Sequence, residues 1–183
     1  MEVRFEVPDW LSACNYSEIY RTDDEKMGVA LDLARISLEH GAGGPFGAAI
    51  FDESGRVISV GVNLVLLNNS SLLHGEIVAI ALAQKKAGSW NLRELGDLCL
   101  ATSAFPCSMC YGAILWSGLS QVMYGAERGD IEKLTGFREG ILPERWREEL
   151  NVNGIEIRGP VCRERAKDVL RGYKERGGVI YNP

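Results

Sequence analysis

Two short motifs in this chain place metal-ligating side chains beside a spare carboxylate. The first is His74-Gly75-Glu76. The second is Pro106-Cys107-Ser108-Met109-Cys110, in which the first cysteine lies 33 residues after the histidine. One imidazole and two thiolates make the three protein ligands of a catalytic zinc site, which keeps its fourth position open. Zinc lowers the pKa of a bound water to roughly 7, and Glu76 is left over to move protons as base and acid. The motifs therefore predict zinc chemistry in which water is activated.

Two other uses of a C-x-x-C motif have to be weighed against this prediction. It could be a redox dithiol, or one half of a structural zinc site with four ligands. No second C-x-x-C follows, and the remaining cysteines, Cys14, Cys99 and Cys162, stand singly in the sequence. Taken alone, His74 would be read as an ordinary structural histidine, and only its neighbours favour a ligand.

The composition predicts a single soluble domain. The chain has 183 residues, of which 46% are hydrophobic and 25% charged, and a chain of this size buries about 70% of its unfolded surface. No apolar run reaches the roughly 18 residues that span a membrane, and Met1–Glu6 lacks the order of a signal peptide. The five cysteines are an odd number, which suits a reducing compartment. We expect a cytoplasmic protein without a membrane partner.

The net charge of −5 argues against a polyanion as partner. A local basic excess lies between Arg158 and Arg176, but Glu164, Asp168 and Glu175 alternate with its cations. A solvated helix face is the favoured interpretation, and a nucleic-acid surface is the alternative. We therefore expect a small free substrate and no nucleic acid.

Hydrophobic periodicity predicts alternating helices and strands. Residues 24–40, 75–87 and Cys107–Trp116 have the composition of helices, the last two buried, and a final amphipathic helix runs from Cys162 to Tyr173. Phe46–Phe51 and Arg56–Val65 flank a turn and predict a β-hairpin. Further strands are expected at Asp97–Ala104, Gln121–Gly125 and 154–159, with mixed helix and loop from Arg128 to Leu150.

This alternation predicts an α/β fold, a three-layer α/β/α sandwich with a mixed central sheet. We expect one domain over residues 1–183, with an N-terminal extension at 1–22 and a C-terminal tail at 178–183. Both metal motifs fall at helix N-termini, where free N–H groups and the helix dipole favour thiolates.

Beyond the metal motifs, the chain resembles the cytidine-deaminase-like proteins, for which H-x-E followed by P-C-x-x-C is a known signature. Within that superfamily it is similar to the bacterial guanine deaminases, especially the branch that also deaminates the triazine ammeline. The resemblance runs from Met27 to Asn182. Besides the metal motifs it rests on Gly44-Pro45-Phe46-Gly47, Gly61-Val62-Asn63, Thr102-Ser103-Ala104, Tyr111-Gly112-Ala113, Trp116-Ser117-Gly118, Gly136-Phe137-Arg138-Glu139-Gly140 and Gly178-Val179-Ile180-Tyr181-Asn182.

The resemblance implies a role for each matching residue. His74, Cys107 and Cys110 would bind Zn²⁺, while Glu76 and Glu139 would be the two catalytic carboxylates. The substrate-binding residues would be Asn63, Phe46, Phe137 and Tyr181, with the two phenylalanines sandwiching a flat heterocycle and the tail folding over the pocket. Single residues of these types have ordinary explanations too: a strand-end cap for Asn63, a core position for either Phe, and a solvent-facing loop for Glu139.

Two positions depart from the family pattern. Phe105 stands where most relatives have Glu, which bears on hydrogen bonding around the metal ligands, and Gly75 replaces the commoner Ala. The implied reaction is hydrolytic deamination of guanine to xanthine and ammonia, with ammeline as a further substrate. Cytosine, a nucleoside or a tRNA adenosine is the alternative substrate, and a catalytically silent zinc scaffold is the minor alternative. Relatives are dimers, some with exchanged C-terminal elements, so a homodimer is expected.

Overall fold

The computed structural model describes residues 4–14 and 16–182, and a five-stranded sheet forms their centre. Of the expected N-terminal extension, residues 1–3 and 15 lie outside the described residues, as does Pro183 of the tail. The strands are β1 (Gly47–Phe51), β2 (Val57–Val62), β3 (Cys99–Ala104), β4 (Gln121–Ala126) and β5 (Glu156–Arg158). The helices are α1 (Asp9–Ala13), α2 (Asp23–His40), α3 (Val65–Asn68), α4 (Gly75–Ala87), α5 (Ser108–Ser117), α6 (Arg128–Thr135), α7 (Trp146–Val152) and α8 (Arg163–Glu175).

The sheet is mixed, as predicted. Its strand order is β2-β1-β3-β4-β5, with β1 antiparallel to both β2 and β3, and β3, β4 and β5 parallel to one another. The predicted β-hairpin is the β1–β2 pair. Because β3 and β4 run in parallel, the chain must cross over between them, and α5 forms that crossover.

Two glycines show that helices cover both faces of the sheet. Gly47 pairs with Val62 in the hairpin, so Gly61, the neighbour of Val62, presents the opposite face. A Cβ on Gly47 would run into the backbone of α2, whereas a Cβ on Gly61 would lie 2.5 Å from the amide nitrogen of Ala79 in α4. The three-layer sandwich is therefore confirmed, and at these two points the helices approach the sheet too closely for any side chain.

Local signals set the ends of the helices. The Thr22 hydroxyl accepts from the Glu25 amide while the Glu25 carboxylate accepts from the Thr22 amide, and Gly41 ends α2 in the left-handed conformation. This capping box starts the helix one residue before the predicted position. Gly88 and Gly118 end α4 and α5 in the same way.

Several predicted boundaries were wrong. The second strand ends at Val62 and not at Val65, because Asn63 and Leu64 leave the sheet and Val65 begins α3. Strand β1 begins at Gly47, so Phe46 lies just before it. The mixed segment from Arg128 to Leu150 contains α6 and most of α7, and the short α1 was not predicted. None of the described helices is long and apolar enough to cross a membrane.

Candidate active site

The two metal motifs meet at the N-termini of α4 and α5. His74 occupies the N-cap position of α4, Cys107 occupies that of α5, and Cys110 lies in the first turn of α5. The Nδ1 atom of His74 is 3.4 Å from the Sγ atom of Cys107 and 3.6 Å from that of Cys110. The three ligand atoms lie within 4.8 Å of one another. The fold thus brings together all three residues that the sequence predicted as ligands.

These distances fit a tetrahedral zinc ion. With Zn–S near 2.3 Å and Zn–N near 2.0–2.1 Å, a tetrahedral angle separates nitrogen and sulfur by roughly 3.5 Å. A soft set of two thiolates and one imidazole is a donor set that zinc prefers. Three ligands leave one position for water or substrate, so the donor set is that of a catalytic site.

The surroundings of Cys107 favour its thiolate form, which binds metal. The hydrogen bond from the Cys110 thiol, together with that from His74, lowers the pKa of the Cys107 thiol to about 4 against the opposing effect of burial. Thiolate is the form that ligates zinc. The position of Cys107 at the start of a helix favours the same anionic form.

Two carboxyl groups next to these ligands are buried. Burial, and then the negative charge of Cys107, raises the pKa of Glu76. Burial also raises the pKa of Glu139 to about 8, with the charges of Cys107 and Glu76 adding to the effect. Both side chains line the same cavity, and pKa values raised by burial and like charge are typical of groups that hold and release protons.

The cavity in front of the ligands has a volume of about 210 Å³. Seven predicted site residues line it: Phe46, His74, Glu76, Cys107, Phe137, Glu139 and Tyr181. Cys110 and Asn63 are not among the residues that line it, and both are fully buried. A small cavity of this kind suits a flat, low-molecular-weight ligand.

The side chain of Asn63 stabilises a turn through its oxygen atom and also carries an NH2 group that could donate to a ligand. Its Oδ1 accepts hydrogen bonds from the amides of Gly44 and Val65, each at 3.2 Å, and so braces the turn where the chain leaves β2. Its buried Nδ2 has no hydrogen-bond partner among the described residues. An unpaired buried donor costs free energy, so a hydrogen bond from this NH2 group to a polar ligand atom would be favourable.

Phe46 and Phe137, which the sequence analysis predicted to sandwich the heterocycle, lie in contact with each other. Both rings line the cavity, but their centroids are 5.4 Å apart and their planes lie at 63°. Such rings contact each other edge to face, which leaves no parallel gap between them for a heterocycle. A flat ligand can stack on one of them while the other packs against an edge.

The C-terminal tail closes one side of the cavity. The Tyr173 hydroxyl of α8 donates to the carbonyl oxygen of Val179 at 2.5 Å, and the Tyr181 ring lies 4.8 Å from that of Phe137. The Tyr181 hydroxyl is buried, has no hydrogen-bond partner within the described part of the chain, and lies against Gly44, where a Cβ would collide with it. The tail of this chain thus covers the cavity of the same chain.

Phe105 packs in a cluster of aromatic side chains. Its ring contacts those of Tyr124 and Trp146 edge to face, with centroids 4.9 Å and 5.2 Å away. The same side chain reaches the cavity wall. The position at which the family resemblance leads one to expect a carboxylate is therefore an apolar part of the wall in this chain.

The sequence analysis missed several residues of the cavity wall. Arg138 and Gly140 fall inside a segment that the resemblance singled out, Asn182 inside another, and Ser108 and Met109 inside the C-x-x-C motif, so a signal existed for these five. Ser71 also lines the cavity, and no pattern in the sequence pointed to it.

Comparison with known proteins agrees with this geometry. Residues 20–126 match the family model described as the cytidine and deoxycytidylate deaminase zinc-binding region. Guanine deaminase of Bacillus subtilis is 39% identical over 113 residues, which cover 62% of this chain and 69% of the relative. A cytosine deaminase of Candida albicans is 32% identical over 152 residues, covering 80% of this chain and 95% of the relative.

Among solved structures, guanine deaminase from Nitrosomonas europaea superposes with a TM-score of 0.89 at 35% identity. The match covers 95% of this chain and 97% of that one. It therefore extends well beyond the zinc-binding region and takes in most of both chains.

Proposed function

Because the chain belongs to the cytidine and deoxycytidylate deaminase zinc-binding family, we propose that it is a zinc-dependent aminohydrolase that converts guanine to xanthine and ammonia. One observation carries this proposal: two residues of the three-ligand metal cluster, His74 and Cys107, line one small cavity with aromatic walls together with two buried carboxyl groups. The whole-length likeness to a guanine deaminase supports guanine over other bases.

The reaction replaces an amino group on a ring carbon by oxygen. A bound zinc ion would act as a Lewis acid that makes water nucleophilic at neutral pH. Glu76 would take a proton from the attacking water and pass it to the ring nitrogen beside the amine-bearing carbon. The water oxygen bonds to that carbon, the carbon–nitrogen bond to the amine then breaks, and ammonia leaves.

Glu139 is the second proton-handling group in this scheme. Burial keeps its pKa at about 8, so the carboxyl is largely protonated near neutral pH. A protonated carboxyl can donate to the departing amino group, and its carboxylate can then recover the proton from the product side. Two buried acids thus share the proton transfers that one carboxylate would otherwise have to perform in sequence.

The remaining site residues would orient the base. Phe137 or Phe46 offers an aromatic face, and the unpaired Nδ2 of Asn63 and hydroxyl of Tyr181 supply donors for the polar edges of a purine. Closing the cavity excludes water and strengthens the electrostatic interactions of the carboxyl groups. Ammeline, a flat triazine with amino and oxo groups, has the same general shape and chemistry and is proposed as a further substrate.

Cytosine is the second candidate, because the similarity to a cytosine deaminase covers most of that relative. A tRNA adenosine or a nucleoside fits less well, since the tail lies across the cavity and the net charge is −5. Retention of Glu76 beside the metal ligands speaks against a silent zinc scaffold.

We propose a homodimer as the working unit, located in the cytoplasm. Trp90 and Trp116 are 76% and 82% exposed, and large exposed aromatic side chains are enriched at protein interfaces. We propose that in this dimer the tail closes the cavity of its own chain, without exchange of C-terminal elements. Sedimentation equilibrium of the full chain measures the oligomeric state.

An ammonia-release screen tests the substrate assignment directly. The zinc-loaded protein is incubated with guanine, ammeline, cytosine, adenine, their nucleosides and a tRNA anticodon stem-loop, and kcat/KM is compared across the set. We expect guanine to give the highest value. A higher value for cytosine or for the stem-loop would replace guanine by that substrate, and no release from any compound would favour the scaffold.

A further inference from the structure

Ser108 connects the metal-binding helix to the loop that carries Glu139. It is the first residue of α5 and follows Cys107 directly. Its backbone N–H donates to the carbonyl oxygen of Glu139 at 3.0 Å, and its hydroxyl donates to the same oxygen at 3.3 Å. Both donors of one residue therefore converge on a single carbonyl of the Glu139 loop, which we define as residues 137–140.

Gly140 fits closely against this contact. Its φ is +73°, a left-handed conformation that side chains disfavour, and a Cβ there would overlap the Ser108 hydroxyl and lie 3.2 Å from the Ser108 Cβ. The Gly140 carbonyl oxygen in turn accepts a hydrogen bond from the guanidinium of Arg128, which also pairs with Glu132 at 3.1 Å. Two successive carbonyls of the loop are thus held, one by α5 and one by α6.

The carboxyl group of Glu139 has no such support of its own. Among the described residues it makes no hydrogen bond or ion pair, and it is buried in the cavity wall. Its place relative to the zinc ligands must therefore come from the backbone of its loop and from packing. That backbone is attached to the same helix turn that holds Cys107 and Cys110.

We propose that Ser108 and Gly140, assisted by Arg128, are positioning residues that hold the Glu139 carboxyl at a fixed distance from the metal ligands. The inference rests on the proposed function, in which Glu139 handles the proton of the leaving amino group. It predicts that small changes at the Ser108–Gly140 contact lower kcat by acting through Glu139, while zinc remains bound.

A double-mutant cycle tests this coupling. Gly140→Ala should lower kcat for guanine roughly tenfold to a hundredfold, the usual cost of misplacing a reacting group by about 1 Å, with a smaller change in KM. In a Glu139→Gln background the same substitution should cost less than about threefold, because the group it misplaces is already disabled. Zinc content per chain should stay at the wild-type value in all variants.

Two further variants separate the effect of the Ser108–Gly140 contact on kcat from the effect of backbone strain at a glycine with positive φ. Gly136 has a φ of +91°, and a Cβ there would meet no described atom within 4 Å. Gly136→Ala therefore introduces similar backbone strain without the overlap. We expect this variant largely to keep the wild-type kcat. Combining Gly140→Ala with Ser108→Ala removes the overlapping hydroxyl and should restore part of the lost rate. Hydrogen exchange measured by mass spectrometry should show faster exchange at Ser108 and across the Glu139 loop in Gly140→Ala alone.

The outcomes are distinguishable. An equal loss from Gly140→Ala with or without Glu139, an equal loss from Gly136→Ala, or unchanged exchange at Ser108 would overturn the proposal. If the wild-type protein releases no ammonia from guanine, the proposed function fails. The anchoring of the loop would still be tested by hydrogen exchange. Faster exchange in Gly140→Ala that Ser108→Ala partly reverses would support the anchoring, and unchanged exchange would overturn it.

Discussion

The side-chain amide of Asn182 donates a hydrogen bond to the backbone carbonyl oxygen of Arg138 at 2.7 Å. This bond joins the C-terminal tail to the loop that carries Glu139, across 44 positions of sequence. Tyr181, the preceding residue, packs on Phe137 of the same segment. The tail and the Glu139 loop therefore form one continuous wall of the cavity.

Deleting residues 179–183 should damage turnover of guanine more than zinc binding. The tail covers the cavity and contacts Phe137 and Arg138, but it supplies none of the metal ligands. We expect zinc content to remain near one ion per chain while kcat/KM for guanine falls at least tenfold, as expected when a lid that excludes water is lost. Normal turnover by the truncated enzyme would show that the tail is dispensable, and would weaken the case against a polynucleotide substrate.

Removing the thiolates should remove the metal. Purified protein is expected to contain about one zinc per chain, as a three-ligand catalytic site requires. Cys107→Ser should lower both zinc occupancy and activity, and Cys107→Ser combined with Cys110→Ser should abolish them. Metal analysis by mass spectrometry measures the occupancy, and Cys162→Ser, which alters a cysteine outside the cluster, is the matched control. Full zinc retention in the double variant would contradict the ligand assignment.

Replacing Glu76 by Gln should separate metal binding from catalysis. The amide keeps the shape of the side chain but cannot take the proton of the attacking water, so kcat should fall by about two to four orders of magnitude. Zinc content and the thermal unfolding midpoint should stay close to wild type, because Glu76 is not a ligand. A loss below tenfold would mean that another group, with Glu139 the first candidate, moves that proton.

The ion pair between Asp130 and Arg163 should make stability sensitive to acid. Arg163 hydrogen-bonds Asp130 through two nitrogens, at 2.7 and 3.0 Å, and this bonding holds the pKa of the carboxyl below its ordinary value of 3.8. The stabilisation is therefore complete above about pH 4 and is lost as the pH falls through the lowered pKa. Asp130→Asn should cost about 1 kcal/mol at neutral pH, the usual scale for a helix cap, since Asp130 also caps α6 through the Glu127 amide.

Urea unfolding at pH 7 and at pH 3 measures this effect. The difference between wild type and Asp130→Asn should shrink at the lower pH. Asp168→Asn is the matched control, because Asp168 pairs with Arg171 on the exposed surface of α8, where ion pairs contribute little. Equal destabilisation by the two variants would show that the buried position of Asp130 does not matter.

Much of the fold followed from patterns that act over short distances. The capping residues at Thr22 and Gly41 and the turn between β1 and β2 are local, so the sequence predicted α2 and the hairpin well. The end of β2 was missed because Val65 is a good strand residue by composition, while tertiary packing places it in a helix. The short α1 escaped prediction since five residues carry too little periodicity to be recognised.

The metal chemistry is encoded locally in the sequence. The residue types His74, Cys107 and Cys110, and their placement at the starts of two predicted helices, specify a zinc donor set whatever the detailed packing. Glu76 is two residues from His74 in the same first turn, so the proximity of base and metal is also encoded there. These features could be predicted because each depends on only a few neighbouring residues.

The way the cavity is built around that cluster depends on contacts between distant parts of the chain. The contact of Ser108 with Glu139, the 63° angle between Phe46 and Phe137, and the bond from Asn182 to Arg138 join residues 31, 91 and 44 positions apart. No periodicity or motif specifies such distances and angles, since they result from the packing of whole helices on both faces of the sheet. Close packing, and not local sequence, fixes where the second carboxyl and the aromatic walls stand relative to the zinc ligands.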